Sequence, residues 1–345
     1  MDKNSVESAN LSRPKTSGLL PRERLFESLD QCHRLLRDAL AASSSAAAAS
    51  QVFALLLSPM AELCMEALRS GIAAESVRSL IQQYRLPAPA NAGSEWPWPL
   101  KVFVLGRFRV LRGDDPIRFS RRAQRKPLEL LQALIAFGGT EVGAGALTDA
   151  LWPDSEGDAG YHALESALYR LRHLLGLPAA VLMAGGKLSL NPKLIWVDMW
   201  AFETELQSIA VRGAEAAGRI ARMRQLYSGH FLEHESEKPW ALKRRQALRD
   251  KFVRSIREVA RTYESERLWQ EAADVYEAGI ELDSLSEDLH RGLIVCHREL
   301  GDHAEALQAY RRCRELLIRV LGVQPNAKTL AIYQSVRQNA VGLAG

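Results

Sequence analysis

Residues 158–175 read DAGYHALESALYRLRHLL. Leu164, Leu168, Leu171 and Leu175 recur at i, i+4, i+7 and i+11, so they share one narrow stripe of a helix with about 3.6 residues per turn. That stripe must face a core. On a helical wheel the far side holds His162, Ser166, Tyr169 and His173, with Glu165 and Arg170 at its edges and Arg172 nearer the core boundary. Such a face can hydrogen-bond and stack. Asp158 can accept from the free N–H groups of the first turn, and Gly176 supplies a C-terminal stop, so both ends carry their own signals.

The residues after Gly176 decide how the helix is read. Val181-Leu182-Met183 and Lys187-Leu188-Ser189-Leu190 are short β-prone runs separated by Gly185-Gly186, with Leu194-Ile195-Trp196-Val197 following past Asn191-Pro192. Two such runs around a Gly-Gly pair predict a hairpin. A helix with a polar outer face followed by a hairpin is the layout of a winged helix, in which the helix enters the major groove and the wing lies on the backbone. An ordinary surface helix packed on a hairpin would look the same over these residues alone.

The chain before the helix separates the two. After Trp96-Pro97-Trp98-Pro99 the pattern turns to short apolar runs, which predict strands at Leu100–Leu105, Arg107–Leu111 and Ile117–Phe119 around a Gly113-Asp114-Asp115 turn. Four cations follow within six residues, Arg121, Arg122, Arg125 and Lys126. Pro127 opens a helix to Phe137 that stops at Gly138-Gly139, and a second helix spans about 143–151 before Trp152-Pro153. The order is antiparallel sheet, three helices, hairpin, the OmpR-type winged-helix arrangement. The cation cluster lies at the N-terminal end of the first helix, where unpaired backbone N–H groups also favour phosphate.

Composition bounds the rest. With 345 residues, 47% hydrophobic and 25% charged, the chain is long enough for two or three domains, and its net charge of +4 is only mildly basic. No apolar run approaches the ~18–20 residues of a membrane span, and the N-terminus has no apolar core of a signal peptide, so the cytoplasm is the expected compartment. Cys32, Cys64, Cys296 and Cys313 have neither disulfide-framework nor zinc-ligand spacing, and no metal or cofactor is expected. No nucleophile elbow, paired carboxylates or phosphate-cradling glycine loop is present, so an enzyme is not expected; Asp154, Glu156 and Asp158 precede a helix, where acids serve caps and the dipole.

Residues 1–20 read as a loose terminus and 21–86 as an N-terminal helical segment, with helices at Pro21–Leu40, Gln51–Leu68 and Ala74–Tyr84 and a featureless Ala/Ser tract at 41–50. Residues 87–97 read as a linker. Beyond Asp198 the pattern is helical, and Glu271-Ala272-Ala273-Asp274-Val275-Tyr276 recurs as Glu305-Ala306-Leu307-Gln308-Ala309-Tyr310, 34 residues later. That is the tetratricopeptide period; the small residues Ala272 and Ala306 and the aromatics Tyr276 and Tyr310 take the close-packing positions, and Gly301 marks a turn. Stacked helix pairs offer a groove for a peptide, subunit or effector, or a surface for dimerisation.

These residues resemble a known family. Residues 98–200 resemble the winged helix, and 201–345 the helical bacterial transcriptional activator domain, of transcriptional regulators of the antibiotic-regulatory-protein type. The resemblance rests on Leu105-Gly106-Arg107-Phe108, Leu151-Trp152-Pro153-Asp154, Leu168-Tyr169-Arg170-Leu171-Arg172, Trp196-Val197-Asp198, Tyr227-Ser228-Gly229-His230-Phe231-Leu232, Pro239-Trp240-Ala241, Leu289-His290-Arg291 and Ala309-Tyr310-Arg311-Arg312-Cys313, in that order. Arg125-Lys126-Pro127-Leu128-Glu129 and the Trp-Pro-Trp-Pro entry are most similar to the C-terminal half of large LuxR/MalT-like ATPase regulators, of whose helical array the first 90 residues would be a remnant. No G-x-x-x-x-G-K-[ST] occurs, so control through a P-loop is not available to this chain.

The expected fold is therefore mainly α with a small β component: an N-terminal helical segment, an OmpR-type winged helix and a tetratricopeptide-like helical domain. The expected function is sequence-specific binding of double-stranded DNA to regulate transcription, as an activator. His162, Ser166, Tyr169, Arg170, Arg172 and His173 are the candidates for base edges and nearby phosphates, Arg121, Arg122, Arg125 and Lys126 for phosphates, and Gly185, Gly186 and Lys187 for the wing. The resemblance implies contact with RNA polymerase and a homodimer on DNA. The competing class is a protein-interaction adaptor whose winged helix has lost specific DNA binding, favoured by the scarcity of fixed cations on the helix face.

Overall fold

The computed structural model describes residues 46–119, 125–155, 157–207, 214–233 and 237–342, with five positions between 27 and 34. The expected loose terminus, most of the helix at 21–40, and Arg121 and Arg122 lie outside the described residues. Helices α1 (Ala46–Arg69) and α2 (Ala74–Tyr84) come first, so the Ala/Ser tract is helical from residue 46. Strands β1 (Leu100–Phe103), β2 (Arg109–Arg112) and β3 (Asp115–Pro116) follow, then α3 (Arg125–Ala136), β4 (Val142–Gly143), α4 (Ala144–Leu151) and α5 (Gly157–Leu175). A short turn of 3-10 helix leads to β5 (Val181–Ala184), β6 (Lys187–Leu190) and β7 (Ile195–Val197). The rest is helical: α6 (Asp198–Gln207), α7 (Ala214–Leu226), α8 (Pro239–Ser265), α9 (Trp269–Leu282), α10 (Glu287–Leu300), α11 (His303–Leu316) and α12 (Ala327–Gly342).

The first sheet runs β3-β2-β1-β7 and is not wholly antiparallel as expected, because β7 pairs with β1 in parallel. Ile195-Trp196-Val197 does not extend the hairpin but returns to the N-terminal sheet. All three residues of β7 and three of the four in β1 are buried, which is the signature of strands covered on both faces. Leu100, Val102, Ile195 and Val197 join the main core. Phe103 and Trp196 turn to the opposite face, where they meet Met60, Met65, Ile81, Trp96 and Trp98 in a second core. Helices α1 and α2 are thus packed on the sheet, and the segment expected as a linker helps fill that core through Ala92 and Trp96, between Leu86 and Trp98 at its two ends. The expected strand at Ile117–Phe119 is absent: β3 is the two residues next to the turn, and only the Ile117 N–H to Val110 carbonyl bond (2.8 Å) carries the pairing further.

Strand β1 ends at Phe103 because the next two N–H groups turn away from the sheet. Val104 and Leu105 donate to the Asp198 carboxylate at 2.9 and 3.0 Å, and Met199 donates to the same group at 2.7 Å. Asp198 is fully buried at the start of α6. Just beyond, Gly106 and Gly229 cross so closely that a Cβ on either would lie 3.0 Å from the other's backbone or the Ser228 carbonyl. Gly106 N–H donates to His230 O (3.0 Å), Leu232 N–H to Val104 O (2.8 Å), and Arg245 donates to the carbonyls of Phe231 and Leu232. The Leu-Gly-Arg-Phe and Tyr-Ser-Gly-His-Phe-Leu motifs therefore meet in space and join the sheet to the helical part. The main core is continuous across this joint, from Leu100 to Val336.

In the helical part α9 and α11 are each 14 residues long and begin at Trp269 and His303, which reproduces the 34-residue spacing. Ala272 and Ala306 are fully buried, Tyr276 and Tyr310 nearly so. The Tyr276 ring lies so tightly over Gly292 that a Cβ there would fall 2.2 Å from it. Gly301 closes α10 at φ +83°, a left-handed stop that glycine adopts without strain. Asp283, 3% exposed, is held by the Arg249 fork at 2.7 and 3.2 Å. Burial pushes the Cys296 and Cys313 thiols up to about 12, so neither is a ready thiolate.

Candidate nucleic-acid interface

The three helices that precede the hairpin are arranged around α5. Leu164, Leu168, Leu171 and Leu175 are all buried, joined by Ala167. The far side is open: His162, Glu165, Ser166, Arg170 and His173 are exposed, and Tyr169 is 75% exposed. A tyrosine left this open adds nothing to the core. Tyr161, 39% exposed, extends the same side by two turns through Glu165 to Tyr169. The leucine stripe does not single it out, although its i, i+4, i+8 spacing to Tyr169 carried the signal. Glu165 Oε2 lies 3.6 Å from His162 Nδ1, so the acid on this face is partly turned toward its own helix neighbour.

Both flanks fix this helix in place. Asp158 stands inside the first turn, since α5 begins at Gly157, and acts there on the helix dipole. At the other end Gly176 takes φ +66°, and Arg112 of β2 donates to the carbonyls of Leu174 (3.4 Å) and Leu175 (3.1 Å). Strand β2 thus caps the helix C-terminus through Arg112. Arg112→Ala is expected to lower stability by about 1–2 kcal/mol and to cut amide exchange protection first in the last turn of α5, measured by hydrogen exchange; equal loss throughout the chain would contradict the capping role.

Two residues expected at the interface are engaged within the chain. Arg172 donates from Nε and Nη2 to the Val181 carbonyl (2.9 and 2.7 Å), which ties α5 to the first strand of the hairpin. Lys126 Nζ donates to Leu151 O (2.8 Å), pairs with Glu129 (2.9 Å) and sits over the Trp152 ring. It caps α4 and locks α3 to it. Arg125, at the first residue of α3, is 75% exposed and only loosely paired with Glu129 at 3.3 Å.

The hairpin has the expected register, Ala184 opposite Lys187 and Val181 opposite Leu190, with a third strand, β4, on its other side. Gly185 and Gly186 take φ +56° and +71°, the two left-handed positions of a type I′ turn. Both are exposed, with open space where a Cβ would stand. Lys187 is 54% exposed beside Glu141 at 3.2 Å. The structure therefore gathers a polar, aromatic helix face and an open glycine turn onto one rigid unit whose orientation is set by Arg112 and Arg172.

Among the described residues no group of three or more His, Cys, Asp or Glu could hold a metal ion, and no helix is long and apolar enough to cross a membrane. The chain is 27% identical over 265 residues to the Regulatory protein AfsR of Streptomyces griseus, an alignment that takes 75% of this chain and 26% of that protein. It thus spans about a quarter of the length of that curated relative. Among solved structures it is similar in fold to Mycobacterium tuberculosis EmbR, determined in complex with a low-affinity phosphopeptide, with a TM-score of 0.51 and 20% identity over 70% of this chain and 65% of that one. The family model of the bacterial transcriptional activator domain matches residues 197–337, the stretch from the end of β7 through most of α12.

Proposed function

We propose that this chain is a sequence-specific, duplex-DNA-binding transcriptional regulator that acts as an activator. In this reading the unit from β1 to β7 is an OmpR-type winged helix: α5 enters the major groove with His162, Ser166, Tyr169, Arg170 and His173 toward the bases and nearby phosphates. Gly185, Gly186 and Lys187 form the wing on the backbone, and Arg125, with Arg121 and Arg122, holds phosphate. Arg172 and Lys126 act as positioning residues, since their donors are used inside the chain. Helices α8 to α12 form a tetratricopeptide-like unit for contact with RNA polymerase or a second copy of the chain.

One observation carries this reading: the outward face of α5 is polar and aromatic with Tyr169 75% exposed, while the helix itself is tied to the sheet and to the hairpin. Rigid support beneath an exposed, hydrogen-bonding face is what groove readout requires. The domain match and the regulatory relative point the same way.

The electrostatic part is tested by the salt dependence of duplex binding. Removing one phosphate-bound cation reduces the slope of log K against log salt by about 0.9. Arg125→Ala is expected to lower the slope by that amount and to weaken binding equally on all sequences. An unchanged slope would remove Arg125 from the interface, and absence of salt-dependent duplex binding by the full chain would contradict the regulator reading.

A further inference from the structure

A cavity of about 400 Å³ lies where α1, the first sheet, α6 and α7 meet. Its size falls in the range of small-molecule sites, roughly 300–1,000 Å³. One wall is apolar and aromatic, with Phe103 and Trp196 set edge to face at 5.4 Å and Leu226 beside them. The opposite character comes from Arg69, Arg109 and Arg222.

Three carboxyls line this cavity beside the three arginines: Glu205 and Asp198, which are engaged, and Glu95, whose charge acts on Arg69. Glu205 is taken by Arg222 in a two-pronged pair at 2.9 and 3.1 Å, with Arg219 at 3.6 Å. Asp198 is taken by three backbone N–H groups. Arg69 donates to the Asn91 carbonyl, and Arg109 lies 4.5 Å over the Phe103 ring; among the described residues neither makes an ion pair. Burial, and then the neighbouring Arg222, hold Arg69 below the ordinary guanidinium range, against the opposing pull of Glu95, Glu66 and Glu205. A second sign is independent of charge. Trp196 is 5% exposed, and its indole N–H is buried with no acceptor among the described residues. A buried donor without a partner costs about 1–3 kcal/mol unless something fills the role.

We infer that this cavity is a binding site for a small aromatic acid, its carboxylate or phosphate held by Arg69 and Arg109 and its ring against Phe103 and Trp196. The guanidinium fork matches either anion, and the aromatic wall selects for a flat apolar body. An occupant would touch the N-terminal helices, the sheet and α6–α7 at once, so it would stiffen the joint next to the Gly106–Gly229 crossing. The site is separate from the DNA-binding face, and its occupancy is tested on the free chain.

The test titrates the full chain with phenylacetate, phenyl phosphate and the neutral phenylacetamide while following tryptophan fluorescence and the thermal midpoint. Saturable change with at least one anion, and about tenfold weaker binding of the amide, is expected for loss of one charge-assisted contact. Arg109→Gln and Arg69→Gln should each weaken the anion about tenfold, read against the unliganded melting profile of each variant. Equal affinity for the amide, no saturable response to either anion, or indifference to Arg109→Gln would overturn the assignment.

Discussion

Replacing Asp198 by alanine is expected to destabilise the fold by about 3–5 kcal/mol, at the upper end of what one polar substitution does. The carboxylate accepts three backbone N–H groups, from Val104, Leu105 and Met199, at a position with no solvent exposure. Removing it strands those donors in the core at about 1–3 kcal/mol each, partly offset by relief from burying the carboxyl itself. The loss also frees the Val104–Gly106 segment from α6, which loosens the connection between the sheet and the helical part. A lowered denaturant midpoint with an unchanged m-value is the expected reading; an unfolding free energy within about 0.5 kcal/mol of the parent would contradict it.

The same group carries a pH signature. Burial pushes the Asp198 carboxyl up to about 7 against the pull of the three N–H donors. A folded-state value above the unfolded one means that the native chain holds a proton that the unfolded chain has released between about pH 4 and pH 7. Its contribution to stability is therefore present below about pH 4 and lost as the pH rises through about 7. Asp198→Asn cannot titrate and should flatten that part of the stability profile, at the cost of turning an N–H₂ toward backbone donors.

The second large effect is expected on DNA. Arg170→Ala should weaken binding to a cognate site by about 5- to 150-fold, the ~1–3 kcal/mol of a good contact to a base edge, with far less change on unrelated duplex. Tyr169→Ala on the same helix should add to the loss. Both side chains are exposed and neither supports the core, so stability should stay within about 0.5 kcal/mol of the parent. Equal weakening on cognate and unrelated DNA would place Arg170 on phosphate and move base readout to its neighbours.

How much of this was legible in the sequence varies with the physics of each element. The leucine stripe of α5 and the Gly-Gly turn are local signals, and both appear where the spacing placed them. The 34-residue recurrence is also local and reappears as two helices of equal length. Long-range pairing was not legible. Ile195-Trp196-Val197 gives a β signal but does not say that its partner is β1, nearly 100 residues earlier. Trp196 and Trp98 stand in motifs whose spacing says nothing of what they pack on, yet their bulk fills the core under α1 and α2.

Side-chain commitments were equally hidden. Lys126 is a surface cation by spacing and Arg172 one near the core boundary, and only the fold reveals that their donors meet the carbonyls of Leu151 and Val181. Asp198 read as one letter of a motif; its value as an acceptor for Val104 and Leu105 depends on a contact more than 90 residues away. The exposed face of α5 is the converse case. A helix face that does not pack is visible from its own period, which is why the wheel placed His162, Ser166, Tyr169, Arg170 and His173 outward as they are found.

Whether the α5 face reads DNA sequence is tested most directly by selection from genomic fragments. The full chain and the Tyr169→Ala/Arg170→Ala variant would each be incubated with fragments of genomic DNA, including the chain's own upstream region, at two salt concentrations. Retention of a few fragments by the parent at the higher salt, and their loss with the variant while weak low-salt binding persists, is the predicted result. Uniform retention that vanishes with salt, or selected fragments that the variant holds equally well, would contradict readout by α5 and leave helices α8 to α12 as the place to seek a protein partner.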